Sequence, residues 1–309
     1  SQFYMLVVKL SDQLGNQMFA YAAVKSIALD KGFEFGVCNE YDNQFLKNDT
    51  DEKFGNTLTS IFPQIRQEIV SELSNYANFQ EITNYQSKSS IQKTAYEVMD
   101  NTIMLGHYIS PLYFMHRIDE VREWFTLPAE ILKKAEKALS EIKAKYPPNT
   151  KFCSIHFRNA LDYRVKGFML NKDYWYNAAN EILKNKKRNE PIVFLIFYDK
   201  LTSLVKSFSE KYESVLTHHS LLVDFEMISS CDYHIVCNSS FSIMAALMDP
   251  NTLSNTFCPS IWPLQKGKYP NDIYPDQWKK IFSRKNYISH ILGYMSPYLS
   301  YFKHVKASK

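Results

Sequence analysis

Between Lys151 and Cys258 short apolar runs alternate with helical stretches, and that alternation restricts the chain to a parallel α/β architecture. The run Ile192–Phe197 is apolar throughout, which in a strand means burial on both faces. His234–Cys237 and Thr256–Cys258 are shorter runs of the same kind, and Val215–Leu222 reads as a further short strand. Helices are predicted over Lys172–Lys187, Leu201–Tyr212, Phe225–Cys231 and Phe241–Met248. Repeated strand–helix–strand units cross over right-handed, so the expected outcome is a doubly wound sheet.

The first strand of that series carries the most chemistry. In Lys151–Phe157, Phe152, Ser154 and His156 alternate with Cys153, Ile155 and Phe157, and a polar loop follows with Arg158, Asn159, Asp162 and Arg164. Ligands of open α/β sheets sit at the carboxyl ends of strands, where a guanidinium such as Arg158 meets negative charge. The other reading is an exposed edge arginine. Asn238, Ser239, Ser240, Phe241 and Ser242 form a second strand-to-helix turn, whose hydroxyls and N–H groups converge where a helix is positive. Alone it is a serine N-cap; beside Arg158 it points to a diphosphate site.

In the first half, Phe3–Leu10 reads as a strand and Met18–Lys31 as a helix with Met18, Tyr21, Ala22 and Ala28 facing inward. The turn between them contains Asp12, Gly15 and Asn16 and is either an ordinary βα turn or a place for phosphate or a sugar hydroxyl. Residues Asn39–Asn101 are rich in Asn, Asp, Ser, Gln and Tyr, and read as irregular with helical patches such as Ile65–Tyr76. Asp49 and Asp51 have a spacing with which two carboxylates share a divalent ion, but they sit in a solvated acidic loop. Met104–Phe114 reads as a strand and loop, within which His107 is a ligand, a base or a hydrogen-bonded packing residue.

Ala129–Tyr146 is an amphipathic helix with Ile131, Leu132, Ala135, Leu139 and Ile142 on one face, and Pro147–Pro148 end it. The domain junction is expected there, giving 1–148, 149–285 and a tail over 286–309. A helix start is expected at Pro275. The tail mixes aromatic residues with Lys303, His304, Lys306 and Lys309, which suits a return onto the first domain or contact with a membrane surface.

At 309 residues the chain has room for two domains, and a net charge of +4 is too small to argue for nucleic acid. Five scattered cysteines, Cys38, Cys153, Cys231, Cys237 and Cys258, predict free thiols in a reducing compartment. No run approaches the roughly 18 apolar residues of a membrane span, and the first residues lack a signal pattern. The expectation is a cytoplasmic protein, peripheral at the inner membrane face if the tail binds there. The sequons at Asn48 and Asn238 are then chance matches.

Several pieces together resemble the bacterial α-1,2-fucosyltransferases of glycosyltransferase family 11. Leu14–Ala22 is similar to the signature Gly-Leu-Gly-Asn-Gln-Met-Phe-Gln-Tyr-Ala, and Gly106–Phe114 to Gly-Tyr-x-Gln-Ser-x-x-Tyr-Phe. His156–Tyr163 resembles His-x-Arg-Arg-x-Asp-Tyr, Asp224–Ser242 the block Asp-Phe…Asn-Ser-Ser-Phe-Ser-Trp-Trp, and Asp272–Trp278 the closing Asp-Leu-Tyr-Pro-x-x-Trp. The chain departs from these patterns at Asn159, which replaces the second arginine, and at Ile243–Met244, which replace the Trp-Trp. One extra residue separates Arg158 from Asp162, and Tyr198–Lys200 replace Ser-Asp-Asp.

The resemblance implies a GT-B-like fold, with two Rossmann-like domains and mostly parallel sheets facing a cleft. It also implies transfer of L-fucose from GDP-fucose to a glycan hydroxyl, with inversion and without a metal or other cofactor. On that basis Arg158, Ser239, Ser240 and Phe241 are assigned to the diphosphate and Asn238 to the same donor turn. His156 is assigned to the ribose or guanine side, Asp162 to loop orientation, and Gly15 with Asn16 to the fucose or acceptor. Asp12 is the candidate base. The alternatives are the same fold with another nucleotide sugar or acceptor, and a nucleotide-sugar-binding protein without catalysis.

Overall fold

The computed structural model describes residues 3–38, 57–82, 91–262 and 272–295. Asp49, Asp51, the sequon at Asn48 and the tail beyond residue 295 lie outside them. The first half contains β1 (Met5–Lys9), α1 (Leu14–Lys31), β2 (Glu34–Cys38), the single turns α2 (Leu58–Ile61) and α3 (Pro63–Arg66), β3 (Ala77–Gln80) and β4 (Thr102–Leu105). Its strands pair in parallel in the order β2-β1-β4-β3. Helices α4 (Ile118–Trp124) and α5 (Ala129–Lys143) lead to the second half.

There β5 (Lys151–Phe157), α6 (Leu161–Lys166), α7 (Asp173–Asn185), β6 (Ile192–Tyr198), α8 (Ser203–Lys211), β7 (Ser214–Thr217) and α9 (Leu221–Ser229) follow in turn. The series closes with β8 (Tyr233–Ile235), α10 (Ser240–Leu247), α11 (Thr252–Asn255), β9 (Thr256–Pro259) and β10 (Lys279–Ile281). The six strands pair in the order β10-β9-β8-β5-β6-β7, all parallel.

Phe152 through Phe157 are all buried, so alternation in β5 does not separate core from solvent. It separates two cores. Cys153, Ile155 and Phe157 pack with Trp175 of α7 and Phe208 of α8, whereas Phe152 faces the other way. The cluster that holds Phe152 runs without interruption from β1 and α1 through α5 to β6, α9 and α10. Helix α1 is buried almost all round because it packs on β1 and β2 and also on α10. Helix α5, placed by sequence in the first domain, buries Ile131, Ala135, Leu139 and Ile142 and packs on α9 of the second half.

Two local expectations are corrected. Of the patch Ile65–Tyr76, only the end of α3 is helical. Pro275 starts a turn closed by the Trp278 N–H on the Pro275 carbonyl (3.1 Å), after which β10 pairs with the edge of β9. Pairing with an open edge wins over the helix-start signal of proline. The described part of the tail, to residue 295, packs on α6: a Cβ on Gly293 would stand 2.8 Å from Gly167 Cα, and Ser289 Oγ donates to the Arg164 carbonyl at 2.8 Å. Gly167, at φ +77, ends α6 and permits that close approach.

Candidate active site

The two halves face each other across a cleft of about 880 Å³. Asp12, Gly15, Asn16, His156, Arg158, Asp162, Asn238, Ser239, Ser240 and Phe241 all line it, so the structure gathers every residue to which the sequence assigns a site role.

On the second-half wall, Arg158 follows directly from β5. Its Nη1 and Nη2 donate to the two carboxylate oxygens of Asp162 at 3.1 and 2.6 Å, and Nη1 also donates to Asp199. The guanidinium stacks 4.3 Å from the centre of the Tyr163 ring. Burial opposes its charge, but Tyr163, Asp162 and Asp199 together hold its pKa above the ordinary value. Asp199 was missed by sequence. It follows β6 as Arg158 follows β5, and the register that pairs Phe157 with Tyr198 sets the two side by side. Asp199 also accepts from the backbone N–H groups of Asn159 (2.9 Å) and Ala160 (3.1 Å), pinning the loop.

His156, 8% exposed, lies between Cys237 Sγ (3.3 Å from Nδ1) and the ring of Phe241. Burial pulls its pKa down to about 4, with Asp199 opposing and Arg158 adding, so the imidazole is neutral near pH 7. Burial pushes the Cys237 thiol up to about 12, which keeps it protonated. The Tyr163 hydroxyl donates to the Asn238 carbonyl at 2.9 Å, and Asn238 Nδ2 donates to the Phe168 carbonyl at 2.8 Å. These bonds fix the turn that opens α10. Ser239 is its N-cap, but no side-chain bond satisfies the first N–H groups of the helix there.

The first-half wall carries Asp12, which adopts φ +63. Its Oδ2 lies 3.0 Å from His107 Nε2 and 3.3 Å from Asn16 Nδ2. Where the walls meet, Asn16 Oδ1 accepts from Ser240 Oγ at 2.5 Å. Gly15 lies against the same turn: a Cβ there would stand 2.3 Å from Phe241 N. Its small size lets the starts of α1 and α10 touch. At the far end Asp224 accepts from the His219 N–H at 3.3 Å, and burial pushes its carboxyl up to about 8.

A second constellation has the residue types of a nucleophilic triad. Ser154 Oγ lies 2.9 Å from His234 Nδ1, and His234 Nε2 lies 2.7 Å from Asp249 Oδ2, which also accepts from Asn255 Nδ2 at 2.8 Å. All are buried, and Ser154 and His234 line neither the cleft nor the surface pocket that Asp249 and Asn255 border, so the serine is not presented to a substrate; the bonds tie β5, β8 and α11 together. Among the described residues no group of three or more His, Cys, Asp or Glu side chains is placed to hold a metal ion.

The family model for glycosyl transferase family 11 matches residues 2–281. The chain belongs to that family. This family 11 glycosyltransferase is 24% identical over 307 residues to an α-1,2-colitosyltransferase of Escherichia coli, covering 90% of the chain and 99% of the relative. The crystal structure of fucosyltransferase NodZ from Bradyrhizobium superposes with a TM-score of 0.50 at 12% identity, over 81% of this chain and 94% of that one. NodZ α-1,6-fucosyltransferase co-crystallized with GDP gives the same values. At such identity the likeness establishes the fold, which is GT-B: two Rossmann-like halves of parallel strands facing a cleft.

Two of the departures from the family patterns, Asn159 and Ile243–Met244, fall away from the cleft lining, whereas Tyr198, Asp199 and, in the lengthened loop, Ala160 line it. Asn159 is 1% exposed, and its amide is satisfied by Asp199 Oδ1 (2.7 Å), the Lys200 carbonyl (3.1 Å) and Thr202 Oγ1 (2.8 Å). Ile243 and Met244 are fully buried in the core shared by the two halves. Among the described residues no helix of this transferase is long and apolar enough to cross a membrane.

Proposed function

We propose that this transferase moves L-fucose from GDP-β-L-fucose to a glycan hydroxyl with inversion at the anomeric carbon, and that O2 of a galactoside is the acceptor atom. The observation that carries the reading is the first turn of α10 opening beside Arg158 on one wall of the cleft. As the C1–O bond breaks, charge builds on the leaving diphosphate, and helix-start N–H groups with a guanidinium are suited to it. Three of the five N–H groups of Arg158 are engaged by Asp162 and Asp199, which leaves two for a ligand. One well-placed donor of this kind is worth about 3 kcal/mol of barrier.

Asp162 positions that guanidinium, and neutral His156 borders the nucleoside. Asn16 and the Asp12 loop form the acceptor side, where the attacking hydroxyl loses its proton. In this reading protein groups neutralise the diphosphate without a metal. The relatives named a fucosyltransferase with GDP and a colitosyltransferase support a GDP-linked deoxyhexose donor.

The test is incubation with GDP-fucose and a panel of β-galactosides, following GDP release and assigning the new linkage by NMR. An α-1,2-fucosylated product is expected. Calorimetric binding of GDP-fucose with no GDP released across the panel would instead mark a non-catalytic binder.

A further inference from the structure

Helix α5 turns its apolar residues inward, as surface helices do, whereas the helix over residues 287–295 turns them outward. Asn286 opens it, its Oδ1 accepting from the Ser289 N–H at 3.0 Å. The side that meets α6 is made of small residues. Ser289 is buried there and donates to the Arg164 carbonyl, and a Cβ on Gly293 would stand 2.7 Å from the Lys166 carbonyl oxygen. On the opposite side Tyr287, Ile288, Ile291, Tyr294 and Met295 recur at the spacing of a single helix face and are 39–75% exposed. Phe282, just before the helix, is 71% exposed. Contiguous apolar faces left in water mark surfaces that another body covers.

Charge selects the body. Residues 277–309 contain seven Lys and Arg and no Asp or Glu, whereas the whole chain has a net charge of +4, so the remainder of the chain is net negative. Two of the seven, Lys279 and Arg284, are paired with Glu181 and Asp173 of α7, and the segment stays strongly positive. A second copy set symmetrically on this face would bring two such segments together against their mutual repulsion. An anionic lipid surface offers the opposite charge with an apolar layer beneath it, and tyrosine rings suit the boundary between the two.

We infer that the outward face of this helix docks the protein on an anionic lipid bilayer, with Tyr287, Ile288, Ile291, Tyr294 and Met295 entering the headgroup layer. The inference goes beyond the transfer reaction and does not depend on it. The helix lies along the membrane plane rather than across it. Because it rests on α6, which brings Asp162, Tyr163 and Lys166 to the cleft, docking sets that end of the cleft beside the bilayer.

The experiment is co-sedimentation of the full chain with vesicles of phosphatidylcholine alone or mixed in equal parts with phosphatidylglycerol. Binding to the mixed vesicles, weakened by added salt and absent from phosphatidylcholine, is expected. The double change Ile288→Ser with Ile291→Ser keeps the charge, is expected to melt as wild type does because both side chains are exposed, and should lower that binding about 10-fold or more. Should that variant misfold, Ile291→Cys still tests the face. The five native cysteines are buried, so an environment-sensitive dye reports position 291, and a blue shift on adding the mixed vesicles is expected. No binding to the mixed vesicles, equal binding by the folded double variant or an unshifted dye overturns the inference. So does a solution dimer that the double variant abolishes, which would give the face to a second copy, and a dye shift produced equally by polyglutamate would give it to an acidic protein.

Discussion

Ser240 Oγ donates to Asn16 Oδ1 at 2.5 Å, a bond between residues 224 positions apart that joins the first turn of α10 to that of α1. Gly15 lies beside this bond, and any larger residue collides with the backbone of Ser240 and Phe241 as well as with the Ser240 hydroxyl. Gly15→Ala is therefore expected to lower stability by about 1–3 kcal/mol, the usual cost of overpacking. Urea denaturation measures it, and an unchanged midpoint would show that the two helix starts can separate freely.

Arg158 neutralises two carboxylates as well as facing the cleft. Arg158→Ala is expected to cut turnover about 10²-fold or more and to cost about 2 kcal/mol of stability by leaving Asp162 and Asp199 without their shared cation. Kinetics and thermal melting read the two effects separately. The double change Arg158→Ala with Asp199→Asn should regain part of the stability and none of the turnover.

The pH response follows from His156. Its folded pKa, about 4, lies below the ordinary 6.5, so between those values the unfolded chain binds a proton that the folded one refuses. Stability accordingly falls as pH drops from 6.5 to 4, by roughly 3 kcal/mol for this group. Denaturation curves at pH 7 and pH 4.5 should differ less for His156→Asn than for wild type.

Asp249→Ala removes the acceptor of His234 and Asn255 inside the core, and is expected to cost about 3 kcal/mol. Hydrogen bonds from both partners help to hold the Asp249 carboxyl below its usual range despite burial. Its contribution is thus present at neutral pH and lost only as pH falls through that depressed value. Affinity for GDP in the folded fraction should not change, because the cluster lies outside the cleft.

If protein groups alone neutralise the diphosphate, dialysis against EDTA should leave turnover unchanged. Loss of activity restored by Mg²⁺ or Mn²⁺ would assign that charge to a metal.

The second half was legible where one strong signal sufficed. Ile192–Phe197 could only be an interior strand, and the sequence alone places Arg158 and Ser239 at strand ends. Strands β3 and β10 were not legible: Asn78 and Gln80, or Lys279 and Lys280, sit at sheet edges where polar residues suffice, so no apolar pattern marks them. Asp199 and the Asp12–His107 pair were missed as partners for a different reason. Each contact depends on strand register between distant segments, which local composition does not record.

The core that joins the halves has a consequence for exchange between relatives. Phe225, Met244 and Leu247 of the second half are covered by the same cluster that contains Phe19, Tyr21 and Ile131. A graft cut at Pro147–Pro148 would strip that cover and expose apolar side chains on both products. A second half moved to another transferase would have to bring α1 and α5 with it.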